Sequence, residues 1–319
     1  MRDFKQMLKG AIAAAVLVGC STTAMAGNIA IVGGRADDPF FAVVKRGIDD
    51  AAKLVEQRGG SVNYLALQTY DNIGADAAQL IRTAISQGVD GIAAPNWVPE
   101  AQDEAYKAAK AAGIPILLYN SGGTEKSKEL GSINYVGTED YVAGVAAGEY
   151  LAKNGAKNVL CVNTVPGAAN LEARCKGIID NVKAVQLPLP ATSFGDKTAV
   201  SEAIKASVLQ DETIDAVVTM GNQDADSAAI AIEQANAGER VKLGTFNTDQ
   251  ASLDRIKAGK QMFAVDQQGY LQGFLAVFLL DSYVEYAMES PTMPILTGPA
   301  IVDASNVEAT LKGVAAGVR

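Results

Sequence analysis

The sequence has no histidine among its 319 residues, and it has only three cysteines. Without histidine, Ser-His-Asp and Cys-His catalytic arrangements are excluded, as are histidine-containing zinc sites. Three cysteines are too few for a four-thiolate metal site. Acid–base chemistry by paired carboxylates remains possible, but no local motif marks such a pair. These absences disfavour a hydrolytic or redox enzyme, and we expect no catalytic residues, no metal and no organic cofactor.

Long apolar runs are also missing: no window after the N-terminal region holds the roughly 18 apolar residues of a membrane span. The first 26 residues are typical of a cleaved secretory leader. MRDFKQMLK is basic, GAIAAAVLVG is apolar, and AMA ending at Ala26 fits signal peptidase. The mature protein would begin at Gly27 and work in the periplasm. The segment LVGC also fits lipoprotein cleavage, so a lipid-anchored form acylated at Cys20 remains the alternative.

Aromatic residues make up only 6% of the chain, and basic residues are outnumbered by acidic ones, 27 to 36. Removing the leader's three basic residues and one acidic residue leaves 24 and 35, a net charge of −11 for the mature chain. Nucleic acids and anionic membranes bind basic surfaces, so neither is expected as a partner. The mature chain keeps two cysteines, Cys161 and Cys175. In an oxidising compartment this pair favours a disulfide, with two buried free thiols as the alternative.

Short aliphatic runs alternate with amphipathic helical patterns along the chain. NIAIVG, SVNYLALQ, VDGIAAP and IPILLYN are predicted strands separated by predicted helices, and the alternation starts again at YVAGVAAGEYLAKNG. Repeated βαβ units give a parallel sheet with helices on both faces. The chain length and the second start of the strand–helix alternation predict an α/β protein with two similar doubly wound lobes. We expect a first lobe of residues 27–136 plus 267–296 and a second of 137–266 plus 297–319, joined by a hinge of several short crossings.

Several segments together resemble the ribose-binding type of periplasmic sugar receptors of ABC transporters, which have the type I periplasmic binding protein fold. The turn GGRADDPFF, ISQGVDGIAAP, AAGIPILLYNSG and ANLEARCKGI occur in the order and at the spacing of that family. The resemblance extends from about Asn28 to about Asp303. LacI-type repressors share these lobes, but they carry a DNA-binding helix-turn-helix where this chain carries an export signal. The resemblance implies a ligand cleft between the lobes, at the carboxyl ends of the strands.

Sugar recognition combines aromatic faces with planar polar groups that bind neighbouring hydroxyls in pairs. The resemblance places the stacking aromatics at Phe40, Phe41 and Phe194. Either residue of the Phe pair could instead be the first core residue of the following helix. Trp97, the sole tryptophan, follows a predicted strand and is a further candidate wall, or a cap on the core edge.

The resemblance also implies a set of polar ligand-binding residues, with Arg174 as the arginine that holds sugar hydroxyls from the second lobe. Asp38 precedes the Pro-Phe-Phe turn and could equally cap the helix. The remaining predicted polar site residues are Asn120, Ser121, Asn222, Asn247, Asp266 and Gln267, with Gln223, Asn170 and Arg35 as further candidates. Positions 120 and 247 are amides where the family usually has carboxylates, and positions 38 and 266 are carboxylates where it has amides. This exchange puts ribose itself in doubt, because amides donate as well as accept hydrogen bonds.

The resemblance therefore implies a monomeric receptor that captures a monosaccharide or polyol and delivers it to an ABC permease. Two alternatives remain open at this point. A periplasmic sensor that serves a chemoreceptor or a sensor kinase would have the same fold. An exported glycosidase would use Asp38 and Asp266 as its carboxylate pair.

Overall fold

A computed structural model describes residues 27–319, which form two α/β lobes. The predicted leader and the alternative acylation site at Cys20 lie outside the described residues. The chain begins with β1 (Asn28–Gly33), α1 (Pro39–Glu56), β2 (Ser61–Ala66), α2 (Ile73–Ser86), β3 (Gly91–Ala94), α3 (Pro99–Ala111), β4 (Ile116–Asn120), α4 (Gly123–Leu130) and β5 (Tyr135–Gly137).

The chain then enters the second sheet. The elements there are α5 (Asp140–Lys153), β6 (Val159–Asn163), α6 (Ala169–Ile179), β7 (Ala184–Pro188), a 3₁₀ turn (Ala191–Ser193), α7 (Lys197–Gln210), β8 (Ala216–Thr219), α8 (Asn222–Gln234), β9 (Lys242–Phe246), α9 (Gln250–Lys257) and β10 (Phe263–Asp266). The last elements are α10 (Gly269–Tyr286), β11 (Ile295–Leu296), β12 (Ala300–Val302) and α11 (Val307–Ala315). Among the described residues, no helix is both long enough and apolar enough to span a bilayer.

Each lobe is built on one six-stranded sheet. The first sheet has the order β11-β5-β4-β3-β1-β2, and the second has the order β12-β10-β9-β8-β6-β7. All neighbouring strands are parallel except β12, which runs antiparallel to β10. This confirms the predicted class of two doubly wound parallel-sheet lobes.

Alternate side chains of the central strands fill separate cores on the two faces of each sheet. In β1, Ile29 and Ile31 pack toward α1 and α10, whereas Ala30 and Val32 pack toward α2 and α3. In the second lobe β6 divides in the same way between two cores. Burial on both faces explains why these strands are aliphatic throughout rather than alternating.

Helices α1 and α10 cross at two glycines, and this contact fixes the start of α1 beside the cleft. A Cβ on Gly47 would lie 2.0 Å from the carbonyl oxygen of Tyr270, and one on Gly273 would lie 2.0 Å from that of Val44. Only glycine permits backbones to approach this closely. The N-terminus of α1, which carries Asp38 and Phe40, is therefore held rigidly against the first lobe.

The chain passes between the sheets three times: after β5, after β10, and between β11 and β12. Thr297 links these crossings, since its N–H donates to the Gly137 carbonyl at 2.8 Å and its hydroxyl to the Gln267 carbonyl at 2.7 Å. Gln272 of α10 donates to the same Gln267 carbonyl and to the Thr297 hydroxyl, both at 3.1 Å. One buried glutamine thus binds two of the crossings together.

Candidate functional site

A cleft with about 540 Å³ of open space, counting its mouth, lies between the lobes at the carboxyl ends of the strands. Its apolar lining comes from Phe40, Phe41, Tyr70, Ile73, Trp97, Val165, Ala168, Leu171, Phe194, Met220 and Gly221. Its polar lining comes from Asp38, Asn120, Thr164, Asn170, Arg174, Gln223, Asn247 and Gln267. This mixture of apolar and polar surfaces is typical of a small-molecule site.

Arg174, on α6, is the one cation among the residues that line the cleft, and it is only 2% exposed. Its Nε donates to Asp140 Oδ1 at 2.8 Å, Nη1 to the Met220 carbonyl at 3.1 Å, and Nη2 to Gln267 Oε1 at 2.8 Å. The guanidinium carbon also lies 4.9 Å from the centre of the Phe246 ring. Both terminal nitrogens keep one further N–H each, so the fork is fixed in place and can still donate to a ligand.

Asp140, the first residue of α5, holds the guanidinium from behind, and sequence reasoning did not find it. Burial raises the pKa of this carboxyl to about 6, although the positive charge of Arg174 acts in the opposite direction. In the sequence, Asp140 looks like an ordinary acidic residue in the first turn of a helix. Only the fold shows that its carboxylate contacts the arginine that lines the cleft.

The helix that carries Arg174 is tied to the sheet by a disulfide. Cys161 of β6 and Cys175 of α6 are bonded, with their Cα atoms 5.9 Å apart. This confirms the predicted pair. The bond joins the residue directly after Arg174 to a central strand, so it fixes the position of that turn of α6.

Asp38 is the N-cap of α1, and it also lines the cleft. Its Oδ1 accepts hydrogen bonds from the N–H groups of Phe40 at 2.9 Å and Phe41 at 3.4 Å. Its Oδ2 accepts one from the Tyr70 hydroxyl at 2.6 Å. Burial raises the pKa of the carboxyl, while these three donors act to lower it. One lone-pair direction remains for a ligand hydroxyl.

The four predicted aromatic residues all line the cleft. Phe41 is largely core, in edge contact with Phe40 at 5.4 Å and with Trp97 at 5.7 Å between ring centres. Phe194 of the second lobe meets Tyr70 of the first lobe edge-on at 4.7 Å. The lobes are therefore in contact across the cleft.

Tyr70 was not predicted. It follows β2 on the loop at the carboxyl end of that strand, and this position could have marked it as a candidate. The other lining residues that sequence reasoning missed are mostly small or aliphatic: Ile73, Thr164, Val165, Ala168, Leu171, Met220 and Gly221.

Asn120 ends β4 and Asn247 directly follows β9, with φ angles of +62° and +68°. Asparagine is among the few residues other than glycine that adopt this left-handed conformation readily. Asn120 Nδ2 donates to Gln272 Oε1 at 3.2 Å, and Asn247 Oδ1 accepts from Gln267 Nε2 at 2.5 Å. Each amide is thereby oriented by a glutamine near the hinge.

Asn170 and Gln223, which were further candidates, also line the cleft. The Oδ1 atom of Asn170 is buried and has no hydrogen-bond partner within residues 27–319. A buried acceptor without a donor carries a desolvation penalty that a ligand hydroxyl would remove. Arg35 is not among the lining residues, but its guanidinium carbon lies 5.2 Å from the Phe194 ring centre and 5.8 Å from that of Tyr70.

Three predicted residues do not line the cleft. The Ser121 hydroxyl donates to the Asn96 carbonyl at 2.8 Å and is fully buried. The Asn222 amide donates to Asp249 Oδ2 at 3.2 Å. Asp266 accepts from the Gln268 N–H and from Arg319, and its neighbour Gln267 lines the cleft instead. Asp38 and Asp266 therefore do not share a pocket in which they could act as a pair in acid–base catalysis.

No group of three or more metal-ligating side chains occurs in the described part of the chain.

Comparisons with known proteins agree with this geometry. The sequence profile of the periplasmic binding protein domain family matches residues 29–287. The chain is 26% identical over 285 residues to a xylose/arabinose-binding protein of Sulfolobus acidocaldarius, covering 85% of this chain and 69% of that protein. It is 25% identical to a D-apiose import binding protein of Actinobacillus succinogenes, covering 95% and 97%. The crystal structure of a carbohydrate transporter from Acidothermus cellulolyticus with myo-inositol superimposes with a TM-score of 0.83 at 32% identity, covering 92% and 99%.

Proposed function

This chain belongs to the periplasmic binding protein domain family, and from that premise we propose that it is the solute-binding receptor of an ABC importer for a monosaccharide or a polyol. Similar proteins are a xylose/arabinose-binding protein, a D-apiose import binding protein and a carbohydrate transporter in complex with myo-inositol. The family is one of sugar-binding proteins rather than enzymes, so the ligand should leave the protein chemically unchanged. A single chain is sufficient for this role, since both walls of the cleft come from one molecule.

The observation that carries the proposal is the division of the cleft into an aromatic side and a hydrogen-bonding side. Phe40, Trp97 and Phe194 offer flat apolar surface to the C–H faces of a ring. Arg174 and Asn170 offer donors and an unpartnered acceptor to its hydroxyls. A small molecule with hydroxyls around an apolar ring satisfies both sides.

Binding would act through hinge closure. We assign residues 27–136 plus 267–296 to one lobe and 137–266 plus 297–319 to the other, with the three crossings as the hinge. A ligand held by Asp38 and Asn120 from the first lobe and by Arg174 and Asn247 from the second makes its full set of contacts only when the lobes are closed. It therefore stabilises the closed state relative to the open one, and the closed state is the form offered to the permease.

We place the receptor in the periplasm, because the family implies a location outside the cytoplasm and the N-terminal sequence is typical of an export signal. Cleavage after Ala26 would give a free protein that begins at Gly27. Mass spectrometry of the protein from cells distinguishes that product from one acylated at Cys20.

Isothermal titration calorimetry against a panel of pentoses, hexoses, inositols and linear sugar alcohols tests the function. We expect saturable binding of at least one member, and chemical recovery of that ligand unchanged after long incubation. Absence of binding across the whole panel would overturn the sugar-receptor proposal, and conversion of the ligand would indicate an enzyme.

A further inference from the structure

The cations in and beside the cleft are already paired with carboxylates of the protein. Arg174 contacts Asp140 with a 2.8 Å Nε–Oδ1 distance, and this ion pair is buried. Beside the cleft, Arg35 donates to both carboxylate oxygens of Asp37, from Nε to Oδ1 at 2.9 Å and from Nη2 to Oδ2 at 2.6 Å. Neither arginine therefore brings a net positive charge to a bound molecule.

Two buried carboxylates, by contrast, have no cationic partner within residues 27–319, and they come from opposite lobes. Asp38 accepts hydrogen bonds only from backbone N–H groups and the Tyr70 hydroxyl. Asp224 accepts from the Thr164 hydroxyl at 2.7 Å and from Gln223 Nε2 at 3.1 Å, and both of these neutral donors line the cleft. Both carboxylates lie at helix N-termini, α1 and α8, which stabilise anions without neutralising them.

The negative charge of Asp38 acts on the Asp224 carboxyl of the opposite lobe. Burial raises the pKa of Asp224 to about 7, and the negative charge of Asp38 contributes to that rise. Burial also raises the pKa of Asp38. Bringing the lobes together therefore places two buried carboxyl groups near one ligand volume, and the charge of each opposes the ionisation of a further anion there.

A crevice that shares Phe194 and Gln223 with the cleft extends the same negative character outward. Its lining includes Asp224 itself and the helix-capping residues Asp196 and Asp249. The crevice lysine, Lys197, contacts Asp226 at 3.1 Å, and Arg255 contacts the same carboxylate at 2.7 Å. Its nearest cations are thus also engaged with protein carboxylates.

We propose that this cleft selects polyols by charge: it excludes anionic sugars, such as uronates and sugar phosphates, and binds an amino-substituted polyol more tightly than the neutral parent. Asp38 and Asp224 are the selecting residues. This inference rests on the proposed sugar-receptor function and names the charge class of its ligand. A ligand carboxylate would lie against Asp38 and near Asp224, and the Arg174 guanidinium beside it is already paired with Asp140, whereas an ammonium group would be attracted to both carboxylates.

The test compares sugars of similar size and different charge on protein variants in which the replaced side chain keeps its size and loses its charge. D-glucose, D-glucosamine and D-glucuronate form one set, and myo-inositol with a monoamino-deoxyinositol forms the other. Asp38→Asn and Asp224→Asn keep the size of the side chain, and asparagine also caps helices well. Asp49→Asn is the matched control, because Asp49 lies on the exposed face of α1 and does not line the cleft.

Binding is measured by calorimetry at low ionic strength and near neutral pH. In each set whose neutral member binds, we expect the amine to bind about tenfold more tightly than that neutral member, the effect of one partly screened charge contact. Asp38→Asn and Asp224→Asn should each reduce this ratio severalfold, and Asp49→Asn should leave it unchanged. Glucuronate should show no measurable binding to the wild-type protein.

Equal ratios of amine to neutral affinity in the wild type and both cleft variants would overturn the charge selection, as would glucuronate binding comparable to that of glucose. In either case, binding of the neutral sugars would leave the proposed function intact. If no member of either set or of the wider panel bound, both proposals would fail together.

Discussion

Arg174 donates from Nη2 to Gln267 Oε1 at 2.8 Å, so the arginine that lines the cleft is bonded to the residue that follows β10 at a hinge crossing. The same glutamine donates to Asn247, and its carbonyl accepts from Gln272, which in turn accepts from Asn120. A chain of hydrogen bonds thus connects polar cleft residues of both lobes through the hinge. Ligand contacts at either end can therefore act on the same crossing.

Replacing Arg174 by Ala should lower ligand affinity about a hundredfold, because charge-assisted hydrogen bonds to a ligand are worth about 1.5–3 kcal/mol each. It should also destabilise the fold by about 3–5 kcal/mol, because Asp140 would be left buried without its partner. Calorimetry and urea unfolding measure the two effects separately. The double variant Arg174→Ala with Asp140→Asn should recover stability but not binding. Recovery of both would show that the arginine has only a structural role.

Stability should depend on pH through the buried carboxyls whose pKa is raised, which include Asp38 as well as Asp140 and Asp224. Burial raises the pKa of Asp140 to about 6 and that of Asp224 to about 7, from ordinary values near 3.8. The folded state holds these protons at pH values where the unfolded chain releases them. The stabilisation they give is complete below the unfolded-state pKa and is lost as the pH rises through about 6 and then about 7.

Thermal unfolding followed between about pH 4 and pH 8 checks this dependence. The loss of stability with rising pH should be smaller near pH 7 in Asp224→Asn and smaller near pH 6 in Asp140→Asn. The exposed control Asp49→Asn should lose stability as the wild type does. Identical profiles for all four proteins would contradict the assignment.

Contact between Tyr70 and Phe194 should favour the closed state. The rings meet edge-on at 4.7 Å and come from different lobes, so their interaction is lost when the lobes separate. Aromatic pairs of this geometry contribute about 0.5–1.5 kcal/mol beyond their buried area. A double-mutant cycle with Tyr70→Leu and Phe194→Leu, read by ligand affinity, should give a coupling of that size. A coupling of zero would mean that the pair does not stabilise closure.

Loss of the Cys161–Cys175 bond should reduce the free energy of unfolding by about 3 kcal/mol, the value expected for a closed loop of about 15 residues. Cys161→Ser with Cys175→Ser, compared with the wild type before and after reduction, measures this by chemical denaturation. Equal stability of the oxidised and reduced wild type would refute the expectation. Alkylation of the unreduced, unfolded protein should label neither thiol of the pair.

The sequence was sufficient for the repeated βαβ pattern and for residues that belong to contiguous motifs, such as Phe40 and Arg174. It was insufficient at strand ends, because consecutive side chains there point to opposite sides. Asn120 and Gln267 line the cleft, whereas their neighbours Ser121 and Asp266 do not. A shift of one residue at a strand end decides whether a side chain lines the cleft or is directed away from it. No local motif predicts which of the two neighbours lines the cleft.

Residues that support the site from other elements could not be predicted either. Asp140 and Gln272 are distant in sequence from the side chains they orient, and each resembles an ordinary helix residue until the helices pack. Helix α4 and strand β11 also went unpredicted. The first is short and polar, and the second has two residues, so neither has a readable hydrophobic period.

Gln272 provides the sharpest test of the link between hinge and cleft. It is fully buried and does not line the cleft, yet it holds Asn120 at 3.2 Å and both Gln267 and Thr297 at 3.1 Å. Gln272→Met keeps the length of the side chain and removes these hydrogen bonds, so the Asn120 amide loses its fixed orientation. We expect ligand affinity to fall about tenfold, the effect of one or two hydrogen bonds.

Gln272→Glu keeps the acceptor for Asn120 and should lose less affinity than Gln272→Met if orientation of Asn120 is the cause. Gln79→Met on the exposed face of α2 is the matched control and should bind as the wild type does. Small-angle scattering with and without ligand reports closure separately from affinity. If Gln272→Met lowered only thermal stability, with affinity and ligand-induced compaction unchanged, the glutamine would serve the fold alone, and the hydrogen-bond chain between the lobes would have no part in binding.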